Sequence, residues 1–396
     1  MDSLAINGGP PVRQTMLNYG KQSLDDHDIQ SVVGVLRGDF LTTGPCIDAF
    51  EAAVAAYVGV DYAVAVSSGT AALHMACDAI GLKPGDEVIV SAMTFAASSN
   101  APLYMGATPV FADIDPKTYN VDPADIERKI TDKTKALVVV DYMGHPLDMD
   151  AINAIAKAHN LYVIEDAAHA LGATYKNKKV GTYADLTMFS FHPVKPITTG
   201  EGGMMVTNNE ALYKRMRKFR THGITRDPEE LDTSHGPWYY EQQLLGFNYR
   251  MTDIQAALGL SQLKKLDAFI TRRQEIAKIY MDAFKTIEAF ETPPVPSDGE
   301  SGWHLYMIAL NVEMLSVDRK TVFKALRNEN IGVNVHYLPV YLHPYYQQKG
   351  YTPGLCPHSE ALYERIITLP LFPAMSDEDV NDVIQAVKKV ITHYRK

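Results

Sequence analysis

The chain has 396 residues, of which 46% are hydrophobic and 21% charged, and a formal net charge of −10. This is globular composition, which excludes a disordered, collagenous or rod-like chain. The acidic balance argues against nucleic acid as a partner, and no apolar run approaches the roughly 20 residues of a membrane span. Residues 1–9 carry neither a basic nor an apolar leader segment, so the expected compartment is the cytoplasm. Cys46, Cys77 and Cys356 are too few and too widely spaced for a disulfide framework or a metal motif, and no metal is expected.

Short runs rich in Val and Ile alternate with helical patterns. Strands are expected at residues 62–66, 87–91, 108–114, 135–142, 161–166, 186–191 and 203–207. Helices are expected at 70–80, 95–104, 124–130 and 149–159. Such alternation predicts an α/β fold with a mostly parallel sheet covered on both faces. At Thr252 the pattern changes. Thr252-Asp253-Ile254-Gln255 has capping-box spacing, and apolar residues recurring from Ile254 to Phe284 predict one long linking helix with room for a bend. Beyond Pro293-Pro294 comes a smaller α+β region, with strands at 303–310 and 332–338, a helix at 319–327 and an amphipathic helix after Ser376. The expected division is a large α/β domain with an N-terminal arm over residues 1–250, then the linking helix and a small C-terminal domain over 251–396.

Three constellations carry chemistry. Ser67-Ser68-Gly69-Thr70 follows a strand and opens a helix, where exposed amides and the helix dipole suit a phosphate; the same residues also read as a plain helix cap. Glu165-Asp166-Ala167-Ala168-His169 ends an apolar strand, the edge of an α/β sheet at which ligands bind. Taken singly, Asp166 reads rather as a turn cap and His169 rather as a structural histidine. In His192-Pro193-Val194-Lys195-Pro196 a lysine stands between prolines, just before the glycine-rich Thr199-Gly200-Glu201-Gly202-Gly203. A reactive lysine, a strand-end acid and a phosphate-cradling helix are together the parts of a pyridoxal 5′-phosphate site. No dinucleotide fingerprint opens a helix and no P-loop is present.

The segments Ser68-Gly69-Thr70-Ala71-Ala72-Leu73, Glu165-Asp166-Ala167-Ala168-His169, Ser190-Phe191-His192-Pro193-Val194-Lys195, Thr199-Gly200-Glu201-Gly202-Gly203 and Asn248-Tyr249-Arg250-Met251-Thr252-Asp253 resemble the DegT-type sugar-nucleotide aminotransferases, in family order over nearly the whole chain. The resemblance implies the aspartate aminotransferase fold (fold type I of pyridoxal-phosphate enzymes), with a seven-stranded sheet, and a homodimer with shared active sites. It implies Lys195 as the imine-forming lysine and Asp166 as partner of the ring nitrogen. His169, where the family often has Gln, stands near the cofactor's 3-hydroxyl. Phe95 stacks on the ring, and Ser68, Gly69, Thr70 and Ser190 hold the phosphate. Asn248, read as lying away from the strand ends, reaches the phosphate of the neighbouring subunit's cofactor.

Gly223-Ile224-Thr225-Arg226-Asp227, Gly236-Pro237-Trp238-Tyr239-Tyr240-Glu241 and Val333-Asn334-Val335-His336-Tyr337-Leu338 look most like the subgroup that aminates C4 of a UDP-4-keto-6-deoxy-N-acetylhexosamine in pseudaminic acid biosynthesis. That implies L-glutamate as amino donor. It implies sugar-nucleotide contacts from Tyr19, Leu41, Thr42, His336 and Tyr337, with Ser68, Ser190, Asn248 and Arg250 beside them. Three alternatives stand: a sibling aminotransferase on another UDP- or dTDP-keto sugar, a family dehydratase in which His replaces the lysine, and a noncatalytic binding or regulatory relative. Lys at position 195 argues against the last two.

Overall fold

The computed structural model describes residues 3–396. Seven strands build the central sheet: β1 (Tyr62–Val66), β2 (Glu87–Ser91), β3 (Thr108–Ala112), β4 (Thr134–Val140), β5 (Tyr162–Asp166), β6 (Leu186–Ser190) and β7 (Gly203–Thr207). Their spatial order is β1-β7-β6-β5-β4-β2-β3, and only β7 runs against its neighbours. This is the mostly parallel sheet expected from the alternating pattern.

Alternation along each strand makes the sheet the middle of three layers. Val64, Val66, Val88, Val90, Val138 and Ile164 face one way, against the helices Gly69–Ala79 and Glu210–Phe219. Ala63, Ala65, Phe189 and Val206 face the other way, against Pro45–Val58. Ile89, Leu137, Val139 and Val163 do the same farther along, against Met149–His159. Strands buried on both faces read as unbroken apolar runs, which is why they stand out in the sequence.

The capping box forms: Thr252 Oγ1 accepts from Gln255 N at 3.2 Å and Gln255 Oε1 accepts from Thr252 N at 2.9 Å. The expected long helix is nevertheless two, Asp253–Leu263 and Leu266–Phe284. At the break Lys265 turns aside, and its amine pairs with Asp28 at 2.5 Å and Asp25 at 2.9 Å. The expected strand at 332–338 also fails to form. Only Asn334 pairs, with Thr368; beyond it the His336 carbonyl accepts from Tyr142 and the Tyr337 hydroxyl meets His169, both just past the large sheet's strand ends, rather than extending a ladder. The small sheet instead joins Phe290–Glu291, Tyr306–Leu310 and Ile366–Leu369.

Packing does not change at residue 250. The helix Asp253–Leu263 lies on Asp26–Leu36 and Pro45–Val58, while Leu4 and Leu17 sit in the C-terminal core with Tyr306, Val322, Ile367 and Val387. The N-terminal arm, expected with the large domain, therefore packs with the small one, because its apolar residues find their partners there. No helix among the described residues is long and apolar enough to cross a membrane.

Candidate active site

The carboxyl ends of β4, β5 and β6 converge with the start of the helix Gly69–Ala79. Asp166 is the last residue of β5 and is 5% exposed. Its Oδ2 accepts from Ser98 Oγ at 2.5 Å and its Oδ1 from Ala168 N at 3.2 Å. Ser98 is steadied by Thr94 Oγ1 at 2.7 Å. Burial raises the proton affinity of Asp166, against the pull of the Ser98 and Ala168 donors and of the Lys195 charge. Lys195 follows β6 in a turn closed by its N–H to His192 O at 2.9 Å, and Pro193 and Pro196 stiffen that turn. The residue keeps some surface exposure, but protein packs round the amine itself. Desolvation pushes the amine down to about 8, with the Asp166 charge opposing.

Beside this pair lies an anion-binding concavity. Ser68 caps the helix by accepting from Ala71 N at 3.1 Å, so the cap reading is correct; the hydroxyl hydrogen stays free to donate. The first intrahelical bond runs from Ala72 N to Ser68 O, so the Gly69 and Thr70 N–H groups precede the ladder and point outward. A Cβ on Gly69 would lie 3.1 Å from Met188 Sδ and 3.2 Å from Ser190 Cβ, so glycine leaves that space open. Gly203 is needed for a different reason: a Cβ there would stand 2.5 Å from the Ser68 carbonyl oxygen.

A ring-lined wall closes the third side. His169 is buried, and its Nε2 lies 3.3 Å from Tyr337 Oη. Its Nδ1 is buried without a partner among the described residues. Burial and the nearby Lys195 charge keep His169 neutral. His304 packs against it with ring centroids 4.3 Å apart. Tyr142 donates to the His336 carbonyl, His336 Nδ1 meets Thr368 Oγ1 at 2.9 Å, and Tyr19 lies 5.2 Å from the His336 ring. Phe95 stands in front, 61% exposed and 6.2 Å from Tyr337.

The remaining expected residues form an outer rim. Leu41 and Thr42 are exposed and held by their backbones: Asp253 N donates to Leu41 O at 3.0 Å, and Thr42 pairs with Thr252. Asn248 is exposed and pairs with Thr221. Its segment is not remote, as its place in the sequence suggested. Val66 pairs with Arg250, and Ser67 N donates to Tyr249 O at 2.8 Å, because the chain doubles back along β1. Ser98, Tyr142 and His304 were not singled out from sequence. Only the Thr94/Ser98 spacing, one helical turn beside Phe95, carried a local sign of them.

Residues 22–388 match the DegT/DnrJ/EryC1/StrS aminotransferase family. The chain belongs to that family. It is 45% identical over 381 residues to the spore coat polysaccharide biosynthesis protein SpsC of Bacillus subtilis, covering 96% of this chain and 98% of SpsC. Among solved structures it resembles Helicobacter pylori PseC, an aminotransferase involved in the biosynthesis of pseudoaminic acid. That likeness is 34% identity and TM-score 0.90, over 96% of this chain and 100% of PseC. The pyridoxal-phosphate form of the putative sugar aminotransferase Spr1654 from Streptococcus pneumoniae is 32% identical, with TM-score 0.88, over 96% and 99%. The protein is thus a pyridoxal-phosphate-dependent sugar aminotransferase of the aspartate aminotransferase fold. The donor set fits that cofactor: an outward-facing helix start for a phosphate, a buried carboxylate for a ring nitrogen, and a buried imidazole nitrogen with no partner among the described residues.

Proposed function

We propose that the protein moves the amino group of L-glutamate to C4 of UDP-2-acetamido-2,6-dideoxy-β-L-arabino-hexos-4-ulose, giving UDP-4-amino-4,6-dideoxy-N-acetyl-β-L-altrosamine for pseudaminic acid biosynthesis. The observation that carries this reading is the meeting of Lys195, Asp166 and the Gly69 helix start beside the Tyr19–His336–Tyr337 wall. In it, Gly69 and Thr70 N–H groups with the Ser68 and Ser190 hydroxyls hold the cofactor phosphate. Asp166 keeps a proton on the ring nitrogen, and Phe95 covers the ring face. Once bound, the cofactor supplies an electron sink for the carbon that loses its proton. Lys195 Nζ, its proton affinity lowered by burial, takes the proton from Cα of L-glutamate in its uncharged form and later delivers one to C4 of the sugar. His169 orients the 3-hydroxyl through its unpartnered nitrogen.

Tyr19, Leu41, Thr42, His336 and Tyr337 grip the nucleotide sugar, their aromatic faces stacking and their polar atoms donating to its oxygens. Asn248, exposed at the rim, acts from a second copy of the chain in a cytoplasmic homodimer, and the half-buried Arg250 stands beside the sugar contacts. The higher identity to SpsC favours one second reading, a sibling reaction on another keto sugar. The purified enzyme, given L-glutamate and a panel of UDP- and dTDP-4-keto sugars, should aminate the proposed substrate most efficiently. Preference for another member of the panel selects the second reading; no turnover of any member overturns both.

A further inference from the structure

Two acidic side chains behind Asp166 have no part in the chemistry above. Successive strand residues point to opposite faces. Asp166 shares the face of Ile164, and Glu165 the opposite face of Val163. The register sets Val139 beside Glu165, and Asp141, two residues on, returns to that same face. The Asp141 N–H donates to the Asp166 carbonyl at 3.2 Å, tying the two strand ends together. Asp141 is 0% and Glu165 1% exposed, and among the described residues neither forms an ion pair. Two ionised carboxylates side by side in such a place would be heavily penalised.

Hydrogen-bond accounting locates the proton that relieves this. Glu165 accepts from Thr187 Oγ1 at 2.7 Å and lies by the Gly181 N–H, both of which favour its ionised form. Asp141 Oδ1 accepts from Leu147 N at 3.0 Å. Asp141 Oδ2 is buried and meets no N–H or O–H donor among the described residues, while the Asp141 side chain lies within hydrogen-bonding reach of the Glu165 carboxylate. An acceptor facing an acceptor is resolved when one of them carries a hydrogen.

We propose that Asp141 is held as the neutral acid, donates its Oδ2 hydrogen to Glu165, and with it forms a singly charged pair that positions Asp166. Desolvation, with the charges of Glu165 and Asp166, pushes Asp141 well above the usual carboxyl range. The pair braces the end of β5 through the Asp141–Asp166 backbone bond. It also places one negative charge across the sheet from the ring nitrogen, a consequence that rests on the reading of Asp166 given above.

Infrared spectroscopy of the holoenzyme tests the proton directly and needs no turnover, so its failure is distinct from failure of the proposed substrate. The carbonyl stretch of a protonated carboxyl should appear, shift in deuterium oxide, vanish in Asp141→Asn and persist in Asp166→Asn. Its absence from the wild type, or its survival in Asp141→Asn, overturns the proposal. The charge is tested by titrating the visible absorption of the bound cofactor. Asp141→Asn keeps both donor and net charge and should leave the midpoint within about 0.3 pH unit. Asp141→Asn/Glu165→Gln removes the charge and should lower the midpoint by about one unit. Equal shifts in the two variants, or none in the double, remove the charge role. Asp141→Ala should lower the melting temperature and Asp141→Asn restore most of the loss; equal losses remove the donor role.

Discussion

The inner wall of the active site and its outer rim are built in opposite ways. Asp166, Ser98, Thr94 and His169 are buried, and hydrogen bonds within one chain hold each of them. Phe95, Leu41, Thr42 and Asn248 are exposed, and the last three are positioned by backbone contacts alone. A dry, pre-bonded wall suits proton transfer, which depends on a fixed geometry and on proton affinities moved by burial. An open rim of apolar and amide groups suits recognition, completed when substrate or a second copy covers it. On this view the inner residues decide whether the reaction occurs, and the rim decides on what.

The sharpest way to break the comparison is to remove the lysine. Lys195→Ala should cut turnover by about 10³-fold or more while the protein stays folded. Borohydride reduction and peptide mapping of the wild type should find the pyridoxyl label on Lys195. A label on any other lysine moves the chemistry elsewhere.

Asp166→Asn comes next. The amide keeps the shape and can still meet Ser98, but it lacks the charge that favours a protonated ring nitrogen. Cofactor should remain bound, by its absorption, while turnover falls by about two to three orders of magnitude. Activity near that of the wild type reduces Asp166 to a turn cap.

A third test asks whether the rim needs a second chain. Lys195→Ala and a severe Asn248 variant, each inactive alone, are allowed to exchange subunits. If Asn248 acts across the interface, one site of the mixed dimer has both residues intact, and activity returns to at most about half the wild-type value per heterodimer. Demonstrated exchange without recovery places Asn248 in the site of its own chain.

What could be read in the sequence follows the same inner and outer division. β1, β2 and β7 begin and end where their apolar runs do, because a strand buried on both faces writes its limits in local composition. Asp166 and Lys195 stand out by local order, one at a strand end and the other between prolines. The place of the break at Lys264 and Lys265 was not legible; there Lys265 pairs with Asp25 and Asp28, which lie far away in the chain. The run at 332–338 has strand composition, yet tertiary contacts spend it on the active-site wall. Ser98 and His304 escaped for the same reason: their value lies in what folding brings beside them. The pairing of Arg250 with Val66 likewise arises from a reversal of the chain that no periodicity announces.

The smallest effect distinguishes wall from rim by pH. Burial lowers the Lys195 amine to about 8, whereas an unfolded chain holds it near its ordinary value of about 10.4. Between those values the unfolded state binds more protons than the folded one, so stability contributed by this group rises with pH across that window. Below about pH 8 both states are protonated, and the folded state bears the full cost of a desolvated ammonium. Lys195→Met removes the charge and fills similar space. In cofactor-free protein, the melting temperature of Lys195→Met should exceed that of the wild type most at pH 7.5, with the gap closing toward pH 10. On the rim, Phe95→Ala removes no ionisable group, and its difference from the wild type should stay flat over the same range. A flat gap for Lys195→Met as well means that the amine is solvated like a surface lysine, and the contrast between a dry wall and an open rim then fails at the residue where it matters most.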